Sequence, residues 1–142
     1  MKYYRQSHVI YNNQYHLVWI PRFRRRILNP AIAKYLNLKL EEIHRHYPDL
    51  IYLERSIQPD HIHLLLVIPP RMSVSSVVNI LKSNTSQGLK KKFPFLKKVY
   101  ADEKGIWSVG YFVATVGINE AVIRKYIQLQ EKEDIGQAKL EL

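Results

Sequence analysis

The run His61-Ile-His-Leu-Leu-Leu-Val-Ile68, set between Pro59-Asp60 and Pro69-Pro70, constrains the fold more than any other stretch. An apolar run of this length bounded by prolines reads as a strand. Side chains alternate along a strand, so Ile62, Leu64, Leu66 and Ile68 face one way. His61, His63, Leu65 and Val67 face the other. Both faces are apolar over much of the length, which predicts a central strand covered on both sides.

The rest of the chain supplies what a central strand needs. Residues 8 to 20, HVIYNNQYHLVWI, are rich in Val, Ile, Tyr and Trp and predict a first, long strand ending at Pro21. Asn29-Pro30 is a helix start, and the helix runs to the residue before Pro48. Residues 50 to 57 predict a second strand and His61 to Ile68 a third. Ser73 caps a second helix that stops before Pro94. Residues 109 to 116 predict a fourth strand, and Asn119 caps a last helix reaching residue 133. The order β-α-β-β-α-β followed by an extra helix predicts an α+β, ferredoxin-like antiparallel sheet with two helices on one face. Such a fold hosts many functions. With no repeat or Gly/Ser-rich joint, residues 1–142 read as a single domain.

Composition narrows the chemistry. The chain has no cysteine, which excludes disulfides, thiolate metal sites and cysteine nucleophiles and suits a reducing cytoplasm. Residues 1 to 7 are polar with no apolar signal core behind them, and the run Ile62 to Pro70 is too short to span a bilayer. The expected location is therefore cytoplasmic, away from membranes. The formal charge of +10 points to a polyanionic partner, nucleic acid first.

His61 and His63 share a strand face, and two imidazoles side by side can bind one divalent ion. A pair of hydrogen-bonded histidines at a strand end is the plain alternative. His44 and His46 have the same spacing, but on a helix they diverge by about 200° and read as a solvated face. On the last helix, Arg124, Lys125, Gln128, Glu131 and Lys132 gather on one side, and Val122, Ile123 and Ile127 mark the other. Tyr126 and Gln130 fall within that apolar arc, one turn apart; a core tyrosine with a hydrogen-bonded hydroxyl is the plain alternative for Tyr126. An amide buried there needs a partner. Its carbonyl oxygen suits a hard ion such as Mg²⁺ or Mn²⁺. These residues together suggest His61, His63 and Gln130 around one ion, with Tyr126 as the reacting group.

These motifs resemble a known family. His61-Ile-His63 looks like the His-hydrophobic-His motif of HUH endonucleases. Val122-Ile-Arg-Lys-Tyr-Ile-Gln-Leu-Gln130 resembles the tyrosine helix of the single-tyrosine transposases of the TnpA type, encoded by small insertion sequences. Tyr15-His-Leu-Val-Trp-Ile-Pro-Arg-Phe-Arg-Arg-Arg26, Ile68-Pro-Pro-Arg-Met-Ser-Val-Ser75, Lys82-Ser-Asn-Thr-Ser86 and Trp107-Ser-Val-Gly-Tyr-Phe-Val-Ala-Thr-Val-Gly117 are similar to further family segments. The likeness covers residues 8 to 133. Residues 101 to 106 and the last six match nothing assigned.

The resemblance implies a homodimer that cuts single-stranded DNA beside hairpins at element ends. By motif position it implies Tyr126 as nucleophile and His61, His63 and Gln130 as metal ligands. It also implies that the tyrosine helix serves either its own subunit's site or its partner's, with Gly110 to Gly117 as the joint. A tyrosine that attacks phosphorus stores the phosphodiester energy in a 5′-phosphotyrosine link until a hydroxyl reseals the strand. The divalent ion acts as Lewis acid on the scissile phosphate. Asp60 either orients the His61 imidazole or is a turn residue after Pro59. Arg22, Arg24, Arg25 and Arg26 after the first strand are candidate DNA contacts, as are Lys90, Lys91 and Lys92 at the end of the second helix. The other readings of the sequence are a domesticated relative processing repeated hairpins, a noncatalytic nucleic-acid-binding module, and a metal-dependent hydrolase using water.

Overall fold

The computed structural model describes residues 2–101, 103, 105–115 and 117–136. Its strands are β1 (Tyr4–Gln6), β2 (Val9–Tyr11), β3 (Gln14–Trp19), β4 (Ile51–Gln58), β5 (His61–Val67) and β6 (Phe112–Ala114). Its helices are α1 (Pro30–His46), α2 (Val74–Lys92), α3 (Phe95–Val99) and α4 (Glu120–Asp134). The main sheet has the order β4-β5-β3-β6 with every neighbour antiparallel. This is the ferredoxin-like arrangement, with β5 and β3 in the centre.

Capping residues set the helix starts. Asn29 Oδ1 accepts from the Ile32 N–H at 2.9 Å, Ser73 Oγ from Ser76 at 3.1 Å and Asn119 Oδ1 from Val122 at 3.0 Å. Each satisfies a backbone donor that the first turn leaves without a partner. On one sheet face, Ile32, Leu36, Leu40 and Ile43 of α1 and Val77, Val78, Leu81 and Leu89 of α2 pack onto Leu17, Trp19, Ile62, Leu64 and Leu66. The spacing of the α1 residues, every three or four positions, is what gives that helix a single apolar stripe.

The structure departs from the sequence reading in four places. The first strand is broken at Asn12-Asn13, and its front half pairs back on residues 4 to 6 as a separate hairpin, with Gln6 opposite Val9. Ser7, at φ 50°, supplies the left-handed turn residue that a two-residue hairpin requires. The fourth strand keeps only three residues. The carbonyls of Ser108, Val109 and Gly110 accept instead from Lys82 Nζ, and Val116 lies outside the described residues. The short α3 was not expected. Val122, expected on the apolar side of the last helix, is exposed.

The extra helix α4 covers the other sheet face. A second, smaller cluster joins Ile123, Tyr126 and Ile127 to Val18 and Ile20, with Phe112 and Ile118 at its edge. Among the described residues, no helix is long and apolar enough to cross a membrane.

Candidate active site

Strands β3 and β5 run side by side with Val18 opposite His63 and His16 opposite Leu65. Leu17 and Trp19 point into the main core, so His16 and Val18 must face the α4 side. By the same alternation His61 and His63 face that side, and both are half-buried. Tyr126, at 3% exposure, packs on Val18 and Ile20. Its ring centroid lies 5.8 Å from that of Phe112.

Each histidine has a hydrogen-bond partner on one ring nitrogen. His61 Nδ1 lies 2.9 Å from Asp60 Oδ1. The carboxylate accepts, so Nδ1 carries a proton that it donates to Asp60. Burial pushes the Asp60 carboxyl up, but the hydrogen bonds from His61 and Arg24 outweigh it and hold the group below the usual range. His63 Nε2 lies 3.1 Å from His16 Nδ1. Burial, helped by the neighbouring His16 and His61, pushes His63 down and favours its neutral form.

Asp60 thus takes the orienting role on His61. Arg24 connects it to the helix: Nε donates to Asp60 Oδ2 at 3.0 Å and Nη1 to Glu131 Oε2 at 3.1 Å. The arginine expected to meet DNA is engaged by two carboxylates. Arg22 pairs with Glu103 at 3.1 Å. Arg25 stacks on Phe23 and Tyr100, and Arg26 is exposed. Lys91 and Lys92 are exposed at the end of α2 and Lys90 is half-buried.

On α4 the Tyr126 hydroxyl donates to Gln130 Oε1 at 3.3 Å. Gln130, 1% exposed, donates from Nε2 to Asp134 Oδ1 at 3.1 Å. Burial pushes the Tyr126 phenol above its ordinary value, and Asp134 and Glu133 add to the shift. Among the described residues, no hydrogen bond joins Tyr126 or Gln130 to either histidine. Nor do three His, Cys, Asp or Glu side chains converge as a metal cage. A divalent ion here would therefore need a donor of another type beside the two imidazoles. The Asp60–His61 arrangement, with a carboxylate accepting from one ring nitrogen, is the one that metal-bound histidines adopt. In that respect the residues fit such an ion.

The family model described as "Transposase IS200 like" matches residues 9–130. The chain belongs to the IS200-like transposase family. The transposase for insertion sequence element IS200 of Salmonella typhimurium (strain LT2) is 38% identical over 128 residues, covering 90% of this chain and 83% of that protein. The ISDra2 transposase TnpA of Deinococcus radiodurans is 30% identical over 127 residues, covering 88% and 89%. The crystal structure of a transposase candidate from Deinococcus radiodurans R1 superposes with a TM-score of 0.80 at 29% identity, over 92% of this chain and 98% of that one. An IS200-like transposase cuts and transfers DNA strands, so the question at this site is which groups perform the transfer.

Two features of this transposase escaped the sequence reading. His16 meets His63 only through the β3–β5 register. Asp134 extends the Tyr126–Gln130 spacing by one further turn, and that spacing was the available signal.

Proposed function

We propose that the protein cuts and rejoins single-stranded DNA at insertion-sequence ends by tyrosine transesterification, acting as a homodimer on hairpin-bearing strands. Tyr126 is the nucleophile. His61, His63 and Gln130 would hold a divalent ion, Mg²⁺ or Mn²⁺, which when bound supplies Lewis-acid charge to the scissile phosphate.

In the cleavage step the Tyr126 oxygen bonds to phosphorus and the bond from phosphorus to the 3′ oxygen breaks. The phenol proton is lost, and the leaving 3′ oxygen gains one to become a hydroxyl. The strand's 5′ phosphate stays on the enzyme, and a later attack by a 3′ hydroxyl reverses the bond exchange and releases Tyr126. Water is not a reactant, so the phosphodiester energy is conserved. Gln130 Oε1 receives the phenol's hydrogen bond in the resting site. Because Tyr126 is 3% exposed, its oxygen meets a phosphate only after the side chain rotates or α4 shifts.

One observation carries this reading. The family's tyrosine motif is buried on a helix laid over Val18, and Val18 stands directly opposite His63 in the sheet. A noncatalytic binding module has no need of that juxtaposition.

The test offers single-stranded oligonucleotides from the gene's flanks with Mg²⁺ or Mn²⁺ and follows the protein on denaturing gels and by peptide mass. A metal-dependent adduct on Tyr126, absent in Tyr126→Phe, is the expected result. Binding without an adduct on both flanks and with both metals would favour a binding module. Cleavage that persists in Tyr126→Phe would mean hydrolysis by water.

A further inference from the structure

On α4, residues 126, 130 and 134 are four apart and so lie above one another on one face. All three side chains are joined: the Tyr126 hydroxyl donates to Gln130 Oε1 at 3.3 Å, and Gln130 Nε2 donates to Asp134 Oδ1 at 3.1 Å. The two ends of a glutamine amide have the same shape, so packing alone does not choose between them. A carboxylate does choose, because it accepts and cannot donate. With Asp134 below it, Gln130 must turn its nitrogen down the helix and its carbonyl oxygen up toward Tyr126. The reverse orientation would set two acceptors against each other at a side chain that is 1% exposed, where an unmet group is costly.

Asp134 can impose this choice because it is itself fixed. Ser108 Oγ donates to its Oδ1 at 2.6 Å. The Phe23 N–H donates to its Oδ2 at 3.0 Å. Ser108 is fully buried, and Phe23 sits in a left-handed conformation at φ 62°, which aims its N–H at the helix. Gly110 closes the other side, where a Cβ would overlap Gln130 Oε1. The amide is therefore clamped between the Asp134 carboxylate and the bare backbone of Gly110, and the carboxylate is held in turn by Ser108 and Phe23.

We propose that Asp134 is a positioning residue: it sets the Gln130 amide so that the carbonyl oxygen, and not the nitrogen, is presented beside Tyr126. The functional consequence rests on the proposed ligand role of Gln130, since Mg²⁺ and Mn²⁺ take oxygen donors. The orientation itself does not depend on that role.

The experiment measures Mn²⁺ affinity by electron paramagnetic resonance on the full chain as wild type, Asp134→Asn, Gln130→Ala and the double variant. Asp134→Asn is isosteric, and circular dichroism checks its fold. It is expected to weaken Mn²⁺ binding about tenfold, as loss of a group that orients a ligand does, and to add nothing in the Gln130→Ala background. Equal weakening in both backgrounds would overturn the proposal and leave Asp134 a merely structural residue. A second readout needs no metal. In ¹⁵N spectra the Gln130 side-chain amide, assigned by its absence in Gln130→Ala, is expected to exchange slowly with solvent and to lose that protection in Asp134→Ala. An unchanged signal would overturn the proposal. If Gln130→Ala leaves Mn²⁺ affinity intact, the ligand role falls, and the amide signal alone decides whether Asp134 orients the side chain.

Discussion

The backbone of Gly110 packs against the carboxamide of Gln130 so closely that a Cβ would overlap its Oε1. The contact gives Gly110 a packing reason of its own, close approach to a buried amide. Gly110→Ala is expected to lower the unfolding free energy by about 1–3 kcal/mol, the usual cost of overpacking. Most of that cost should vanish in the Gln130→Ala background, where the obstructing atoms are gone. Urea melts of the two single variants and the double variant check both statements.

Arg24 joins Asp60 to Glu131, so its loss should act on chemistry more than on DNA affinity. Arg24→Met removes a donor from the carboxylate that orients His61 and unties α4 from the strand turn. Adduct formation on single-stranded DNA should slow roughly tenfold, as when other orienting partners are lost. The salt dependence of DNA binding should not change. A reduced salt slope would return Arg24 to the phosphate contacts.

Lys82 makes a pH-dependent contribution. Burial, with Arg22 adding to it, pushes its pKa from the ordinary 10.5 down to about 8. Between those values the folded chain binds fewer protons than the unfolded chain, so stability rises with pH. Above the ordinary phenol value of 10.0, the raised Tyr52 and Tyr100 act in the opposite sense. Urea midpoints at about pH 7.5, 8.5 and 9.5 should climb in the wild type and stay level in Lys82→Met. A wild-type midpoint that stays level or falls would count against the shift.

Lys90, Lys91 and Lys92 close α2 on the protein surface. If all three meet phosphates of a single strand, replacing them with alanine should lower the slope of log affinity against log salt by roughly 2. Binding isotherms at several salt concentrations measure this. An unchanged slope would place the DNA elsewhere.

The sequence reading caught what local rules govern. Asn29, Ser73 and Asn119 cap where capping chemistry put them, and the alternation in β5 correctly divided Ile62, Leu64 and Leu66 from His61 and His63. The helical period of α4 foretold the burial of Ile123, Tyr126, Ile127 and Gln130. Long-range contacts were out of reach. The split at Asn12-Asn13 depends on residues 4 to 6 folding back. The loss of the front of the fourth strand depends on an ammonium 26 residues earlier reaching the Ser108 carbonyl. The His16–His63 contact spans 47 positions, and no local pattern records the register that creates it. Asp134 was missed because the reading ended α4 at 133, one residue short of the position that completes the ladder.

The small cluster beneath α4 has a consequence for how the molecule opens. Helices α1 and α2 share the main core, whereas α4 rests on Val18, Ile20 and Phe112 and is pinned at its far end by polar bonds to Asp134 and Glu131. Such an element is expected to open as its own cooperative unit while the remainder stays folded. Amide hydrogens of α4 should then exchange through a low-energy opening that barely responds to denaturant, and those of α1 and α2 only through global unfolding. The helix that bears the tyrosine is thus held by a core of its own, separate from the one that holds α1 and α2.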